Sequence, residues 1–159
     1  MQVQKMMTSN PACVTPDDSV RDAARLMQEH DCGLIPVVES QQSKRLVGVV
    51  TDRDLALRAI GEGKGADTKV SEVMSRDPNC ASPDTDVKEV ERIMSERQVR
   101  RVPVVDSEGR LAGIVAQADL ALSENGGVSD REVGRTVERI SQPSGSSRGE
   151  STSGTRARP

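Results

Sequence analysis

The chain of 159 residues contains no Phe, Tyr or Trp and only one histidine, His30. With no aromatic side chains, any core must be assembled from Val, Ile, Leu, Met and Ala, each of which buries less area than a ring would. The same absence removes the platform on which single-stranded nucleic acid stacks. Positive charge is not in excess either: 22 Lys and Arg face 25 Asp and Glu, for a net charge of −3. General attraction to a phosphate backbone is therefore lacking, and nucleic acid is not an expected partner. The three cysteines, Cys13, Cys32 and Cys80, form an odd set without metal-ligand spacing, and with one histidine a metal site is not expected. No apolar run approaches the roughly 20 residues of a membrane span, so no membrane partner is expected. The opening residues do not have the pattern of a secretory leader. These absences predict a soluble protein of the reducing cytoplasm with free thiols. No catalytic triad, zinc motif or phosphate-cradling glycine loop is visible, so the chain is not expected to be an enzyme.

What the chain has is a repeat of itself. Pro11, Cys13, Pro16, Val20, Met27, Pro36 and Val37 recur as Pro78, Cys80, Pro83, Val87, Met94, Pro103 and Val104. Each pair is offset by the same 67 positions, as from Pro11 to Pro78. After a loop shorter by two residues in the second copy, Gly48, Asp54 and Leu55 recur as Gly113, Asp119 and Leu120.

Both copies read as strand, helix, strand, strand, helix. Extended segments are expected at residues 12–15 and 80–82, each followed by a proline-containing turn into a helix. Val20, Ala23, Ala24 and Met27 then form one apolar stripe, and Val87, Val90 and Met94 form its counterpart. Strands rich in β-branched residues are predicted at 34–38 and 46–51, and again at 102–105 and 111–116. Short helices follow at 53–60 and 118–123. The fold class is α/β, in the mixed α+β sense, built from tandem repeats. The expected divisions are repeat one at 1–61, a linker at 62–69, repeat two at 70–125, an extra helix at 126–140 and a disordered tail at 141–159.

The runs Ile35-Pro36-Val37-Val38 and Gly48-Val49-Val50-Thr51-Asp52-Arg53-Asp54-Leu55, with Arg100-Arg101-Val102-Pro103-Val104-Val105 and Gly113-Ile114-Val115-Ala116-Gln117-Ala118-Asp119-Leu120, carry a family resemblance. The chain resembles the cystathionine-β-synthase (CBS) domain family over roughly residues 6–122. The resemblance implies a pair of repeats with pseudo-twofold symmetry and two clefts between them. It also implies adenosine-containing ligands such as AMP, ADP, ATP or S-adenosylmethionine, and a homodimer formed through helices.

Carried onto this sequence, the first cleft joins Val49, Thr51, Arg53 and Asp54 to Pro78, Asn79, Val99, Arg100, Arg101 and Pro103. A carboxylate there suits ribose hydroxyls. A hydroxyl beside free helix N–H groups suits a phosphate, as do guanidinium forks. By the same analogy Asp54 takes the ribose and Thr51 a phosphate oxygen. The second cleft joins Ile114, Ala116, Ala118 and Asp119 to Ala12, Cys13, Cys32, Gly33, Leu34 and Pro36. It departs from the pattern, because Ala116 stands for Thr51, Ala118 for Arg53, and Gly33 and Leu34 for the two arginines. Unequal sites follow: the first for a phosphorylated nucleoside, the second degenerate or suited to a less anionic adenosyl ligand.

Plainer roles exist for the same residues. Thr51, Asp54 and Asp119 are also natural helix caps, Arg100 and Arg101 also natural solvated charges, and His30 suits a helix C-terminus. The functional expectation is a non-catalytic regulatory module, with an unidentified effector protein as a further partner. A structural interaction module with vestigial clefts is the alternative.

Overall fold

The structure is a computed structural model, and residues 1–122 and 138–140 are described. Two halves repeat one arrangement. In the first, helix α1 (Val20–Glu29) precedes strands β2 (Leu34–Val38) and β3 (Leu46–Thr51) and helix α2. Helix α2 begins at Asp52–Asp54 and widens into a π-helical stretch at Leu55–Ile60. In the second half, helix α3 (Val87–Arg97) precedes β5 (Arg101–Val105), β6 (Leu111–Ala116) and α4 (Gln117–Leu122). The remaining strands, β1 (Thr8–Ser9) and β4 (Ser75–Arg76), have two residues each.

Helix starts follow their capping residues. Ser19 accepts the N–H of Asp22 at 3.1 Å, and the Asp22 carboxylate returns the bond to the Ser19 N–H at 3.4 Å. This reciprocal box satisfies two N–H groups that the helix itself leaves unpaired. In α3, Asp86 takes the N–H of Lys88 at 2.9 Å. Both helices bury the stripe their spacing predicts: Val20, Ala23 and Met27 in α1, and Val87, Val90 and Met94 in α3.

The two sheets exchange their third strands. One sheet has the order β2-β3-β4 and the other β1-β6-β5, all neighbours antiparallel. Strand β1 opens the first repeat yet pairs with β6 of the second, with Thr8 opposite Ile114 and Ser9 opposite Gly113. Strand β4 opens the second repeat yet pairs with β3 of the first, with Gly48 opposite Arg76 and Val49 opposite Ser75. The turns before these strands cross over in the same way. Val3 donates its N–H to Thr85 at 2.9 Å, and Val70 donates to Asp18 at 2.8 Å. Val3 is fully buried in the core of Val87, Val90, Met94, Val102 and Val104, while Val70, Val73 and Met74 belong to the core of Val14, Ile35, Val37 and Val50.

This corrects the expected position of the opening strand. Residues 12–15 and 80–82 form only single parallel bridges, Val14 to Val37 and Ala81 to Val104. Val14 donates to the Pro36 carbonyl at 3.0 Å and accepts from Val38 at 2.8 Å. Pro36 has no N–H with which to continue the ladder, and Pro103 imposes the same stop in the second copy.

Backbone conformation repeats with the sequence. Asn10 and Asp77, Asp31 and Gln98, and Lys44 and Gly109 are equivalent pairs, and all six have positive φ. At the last pair the two hairpin tips meet: Leu46 donates to the Gly109 carbonyl at 3.0 Å and Leu111 to the Lys44 carbonyl at 2.7 Å. The linker lies along the start of α1, where Val20 donates to Thr68 at 2.8 Å and Arg21 pairs with Asp67 at 2.7 Å. Of the extra helix expected at 126–140, residues 138–140 are described; they are helical, and Ile140 is buried in the second core. The rest of that segment and the tail at 141–159 lie outside the described residues.

Candidate ligand clefts between the halves

The junction between β3 and α2 carries the densest predicted chemistry. Thr51 is extended, with φ −113° and ψ 161°, and its Oγ1 accepts the Asp54 N–H at 3.1 Å. One oxygen of Asp54 accepts the Thr51 N–H at 3.0 Å, and the other lies 3.8 Å from Arg58 Nε. The remaining first-turn donors are also engaged: the Asp52 N–H bonds the Gly33 carbonyl at 3.0 Å, and the Arg53 N–H bonds the Asp52 carboxylate at 2.8 Å. The free helix N–H groups expected to greet a phosphate are therefore already donated within the protein. Attraction for an anion here rests on side-chain cations and on the hydroxyl hydrogen of Thr51, which remains available to donate.

Those cations stand around two adjoining cavities. One, of about 280 Å³, is lined by Leu34, Val49, Thr51, Ser75, Arg76, Asp77, Pro78, Asn79, Val99, Arg101 and Pro103. The other, of about 260 Å³, is lined by Gly33, Leu34, Thr51, Asp52, Arg53, Gln98, Val99, Arg100 and Arg101. Leu34, Thr51, Val99 and Arg101 are common to both, so the pair forms one cleft with an apolar arm and a cationic arm. The structure brings nine predicted residues to this cleft: Val49, Thr51, Arg53, Pro78, Asn79, Val99, Arg100, Arg101 and Pro103. Asp54 is not among the lining residues; its carboxylate faces the capping box and Arg58. Among the described residues, Arg53, Arg76, Arg100 and Arg101 make no side-chain ion pair. Four guanidinium groups thus meet the two carboxylates of Asp52 and Asp77. Arg76 escaped the sequence reading. Its only signal is its place two residues before Pro78, on a strand that the sequence pattern did not reveal.

The second cleft is smaller, a cavity of about 160 Å³ lined by Thr8, Pro11, Ala12, His30, Cys32, Leu34, Ile35, Pro36, Arg101 and Ile114. Ala12, Cys32, Leu34, Pro36 and Ile114 are where the sequence places them. Gly33 lines the first cleft instead, because its carbonyl receives the first N–H of α2. Cys13 faces a groove along α1 with Asp18, Asp22 and Arg25, and its Sγ lies 3.5 Å from both Gln41 Oε1 and Lys44 Nζ. Ala116 donates its N–H to Asp119 at 2.7 Å, half of a capping box whose other half the missing hydroxyl cannot make. Neither Ala116 nor Asp119 lines the cavity, and Ala118 does not either. His30, which caps the end of α1, and Arg101 supply this cleft with basic groups that the repeat comparison did not assign to it.

A duplicated α/β unit with exchanged strands and paired interfacial clefts defines a tandem-repeat module. The CBS domain model matches residues 3–61 and 70–124, and the chain belongs to the CBS-domain family. The CBS domain-containing protein YhcV of Bacillus subtilis is 39% identical over 139 residues, covering 87% of this chain and 94% of that one. Hypoxic response protein 1 of Mycobacterium tuberculosis is 36% identical over 117 residues, covering 73% and 80%. Among solved structures, CBSX2 in complex with AMP superposes with a TM-score of 0.66 at 31% identity, covering 76% of this chain and 93% of that one. The CBS domain pair of MJ0100, in complex with 5′-methylthioadenosine and S-adenosyl-L-methionine, gives 0.67 at 28% identity, covering 76% and 93%. Among the described residues of the present chain, no three His, Cys, Asp or Glu side chains converge as metal ligands, and no helix is long and apolar enough to cross a membrane.

Proposed function

We propose that this chain is a non-catalytic cytoplasmic regulatory module that binds an adenosine-containing ligand, AMP, ADP or ATP, in the first cleft. The observation that carries this reading is the pairing of an apolar arm with a cationic one. Leu34, Val49, Pro78, Val99 and Pro103 offer a slot for a flat base, while Arg53, Arg100 and Arg101 offer unpaired guanidinium groups to phosphate. The neighbours that hold AMP, 5′-methylthioadenosine and S-adenosylmethionine support the same ligand class. The ligand bridges two halves that share strands, and it shifts their packing by as much as its affinity differs between two arrangements.

The signal passes to a second copy of the chain or to an effector protein. Leu57 and Ile60 on α2 are 54% and 77% exposed, and beside them runs an apolar groove of Val20, Ala24, Leu55 and Ala59. This surface suits a homodimer formed through helices.

Calorimetric titration of the dialysed protein with AMP, ATP and S-adenosylmethionine tests the ligand reading. We expect binding of AMP and ATP, weakened about tenfold or more by Arg100→Ala through loss of a charged hydrogen bond. Asp54→Ala separates a ribose contact from a cap: a ribose acceptor loses affinity about 10- to 100-fold, whereas a cap loses melting temperature with affinity kept. Silence toward all three ligands at millimolar concentration overturns the proposal and leaves the module as an interaction scaffold.

A further inference from the structure

Arg101 and Leu34 are equivalent residues, each opening the first long strand of its repeat, and each lines both cavities of the first cleft and the cavity of the second. They form the partition between the clefts. On this partition symmetry is broken: one residue of the pair is a cation and the other is not. Arg101 is half-buried and makes no ion pair among the described residues. Among the described residues it is also the only arginine that reaches the second cavity, where His30 is the other basic side chain.

We propose that Arg101 is a shared anion contact, so that a phosphate-bearing ligand in one cleft weakens binding of a second such ligand in the other. A guanidinium presents one planar fork, and a phosphate gripped by two parallel bonds uses it up. The first cleft retains Arg53, Arg76 and Arg100, so it wins the contest and draws Arg101 to its side. The second cleft is then left with His30 against an incoming anion, and the bound phosphate adds like-charge repulsion across a thin wall. An uncharged adenosyl ligand needs no guanidinium and escapes the competition. Linkage makes the effect reciprocal: an anion held in the second cleft weakens the first by the same factor. The inference rests on the adenosyl-ligand reading and adds to it a rule of occupancy, one anionic ligand per chain with room for a neutral second.

The lone histidine provides the readout. The imidazole resonances of His30 report on the second cleft, while calorimetry reports total binding. The probes are AMP and adenosine, on wild type and on Arg101→Leu, which makes the partition symmetric. In wild type we expect AMP to perturb His30 only at concentrations at least tenfold above those that fill the first cleft. Adenosine should fill both clefts with midpoints within about threefold of each other, and preloading with AMP should leave adenosine able to reach His30. In Arg101→Leu the two AMP midpoints should draw closer without meeting, because the first cleft loses a contact it had won while Arg53, Arg76 and Arg100 stay in place. Equal AMP filling of both clefts in wild type, or a wild-type separation unchanged in Arg101→Leu, overturns the shared contact while leaving the ligand class intact. Failure of both AMP and adenosine to bind removes the ligand class and the shared contact together.

Discussion

Gly48 and Gly113 hold equivalent places in β3 and β6, where the exchanged strands pass closest. A methyl group on Gly48 meets the Ser75 carbonyl oxygen at 2.6 Å, and one on Gly113 meets the Thr8 carbonyl at 2.9 Å and Met7 Sδ at 2.6 Å. Both replacements push the borrowed strand away. Gly48→Ala faces rigid backbone, and we expect it to cost about 1–3 kcal/mol in denaturant unfolding. Gly113→Ala should cost less to the extent that the flexible Met7 side chain swings aside. Thr51 offers a second test at this scale. Thr51→Val keeps the shape but removes the cap oxygen, with an expected loss of about 1 kcal/mol in the same measurement. A neutral result would mean that Asp54 alone holds the junction.

Among elements, the opening turn and strand of the chain matter more than their size suggests. Val3 is fully buried in the second core, so Val3→Ala should destabilise by about 2 kcal/mol, as for two buried carbon groups, and Val70→Ala should do the same to the first. The start of α3 gives the fold an acid sensitivity. The Lys88 N–H, and after it the chain's terminal ammonium at 3.2 Å, hold the Asp86 carboxyl below the usual carboxylate range. A carboxyl depressed in the folded state lends stability above its unfolded-state pKa and loses it as pH falls through the folded one. Melting temperature should therefore drop on acidification from about pH 5 to about pH 2, and Asp86→Asn should flatten that decline.

The long elements were legible because apolar period and β-branching mark them: β2, β3 and β6 fall where the sequence places them. The exchanged strands were not. Thr8, Ser9, Ser75 and Arg76 are polar, carry no period, and are strands only because another repeat offers them an edge. In the clefts, residue types were readable and side-chain direction was not. Asp54 repeats as Asp119 and so announces a common role, yet both carboxylates turn back to their own strand-end N–H groups. Arg101 was assigned to one wall, because a sequence comparison does not reveal that its position is the partition.

At the scale of the molecule, the apolar face of α2 is the surface to challenge. If it joins two copies, light scattering at micromolar concentration should give twice the chain mass, and Ile60→Glu should return it to that of one chain. The reciprocal loan of strands has a further consequence. Neither repeat owns a complete sheet, so a polypeptide ending at residue 69 would possess a strand with nowhere to dock and an edge with nothing to cover it. Two such half-length polypeptides would satisfy each other, each placing its Thr8–Ser9 segment beside the other's β3, and should assemble as a twofold pair that stays folded only when associated. The full chain has the architecture of that pair with its halves tied in series, and in such an arrangement a tether frees the two copies to differ, as Ala116 in the place of Thr51 and Gly33 and Leu34 in the places of Arg100 and Arg101 illustrate.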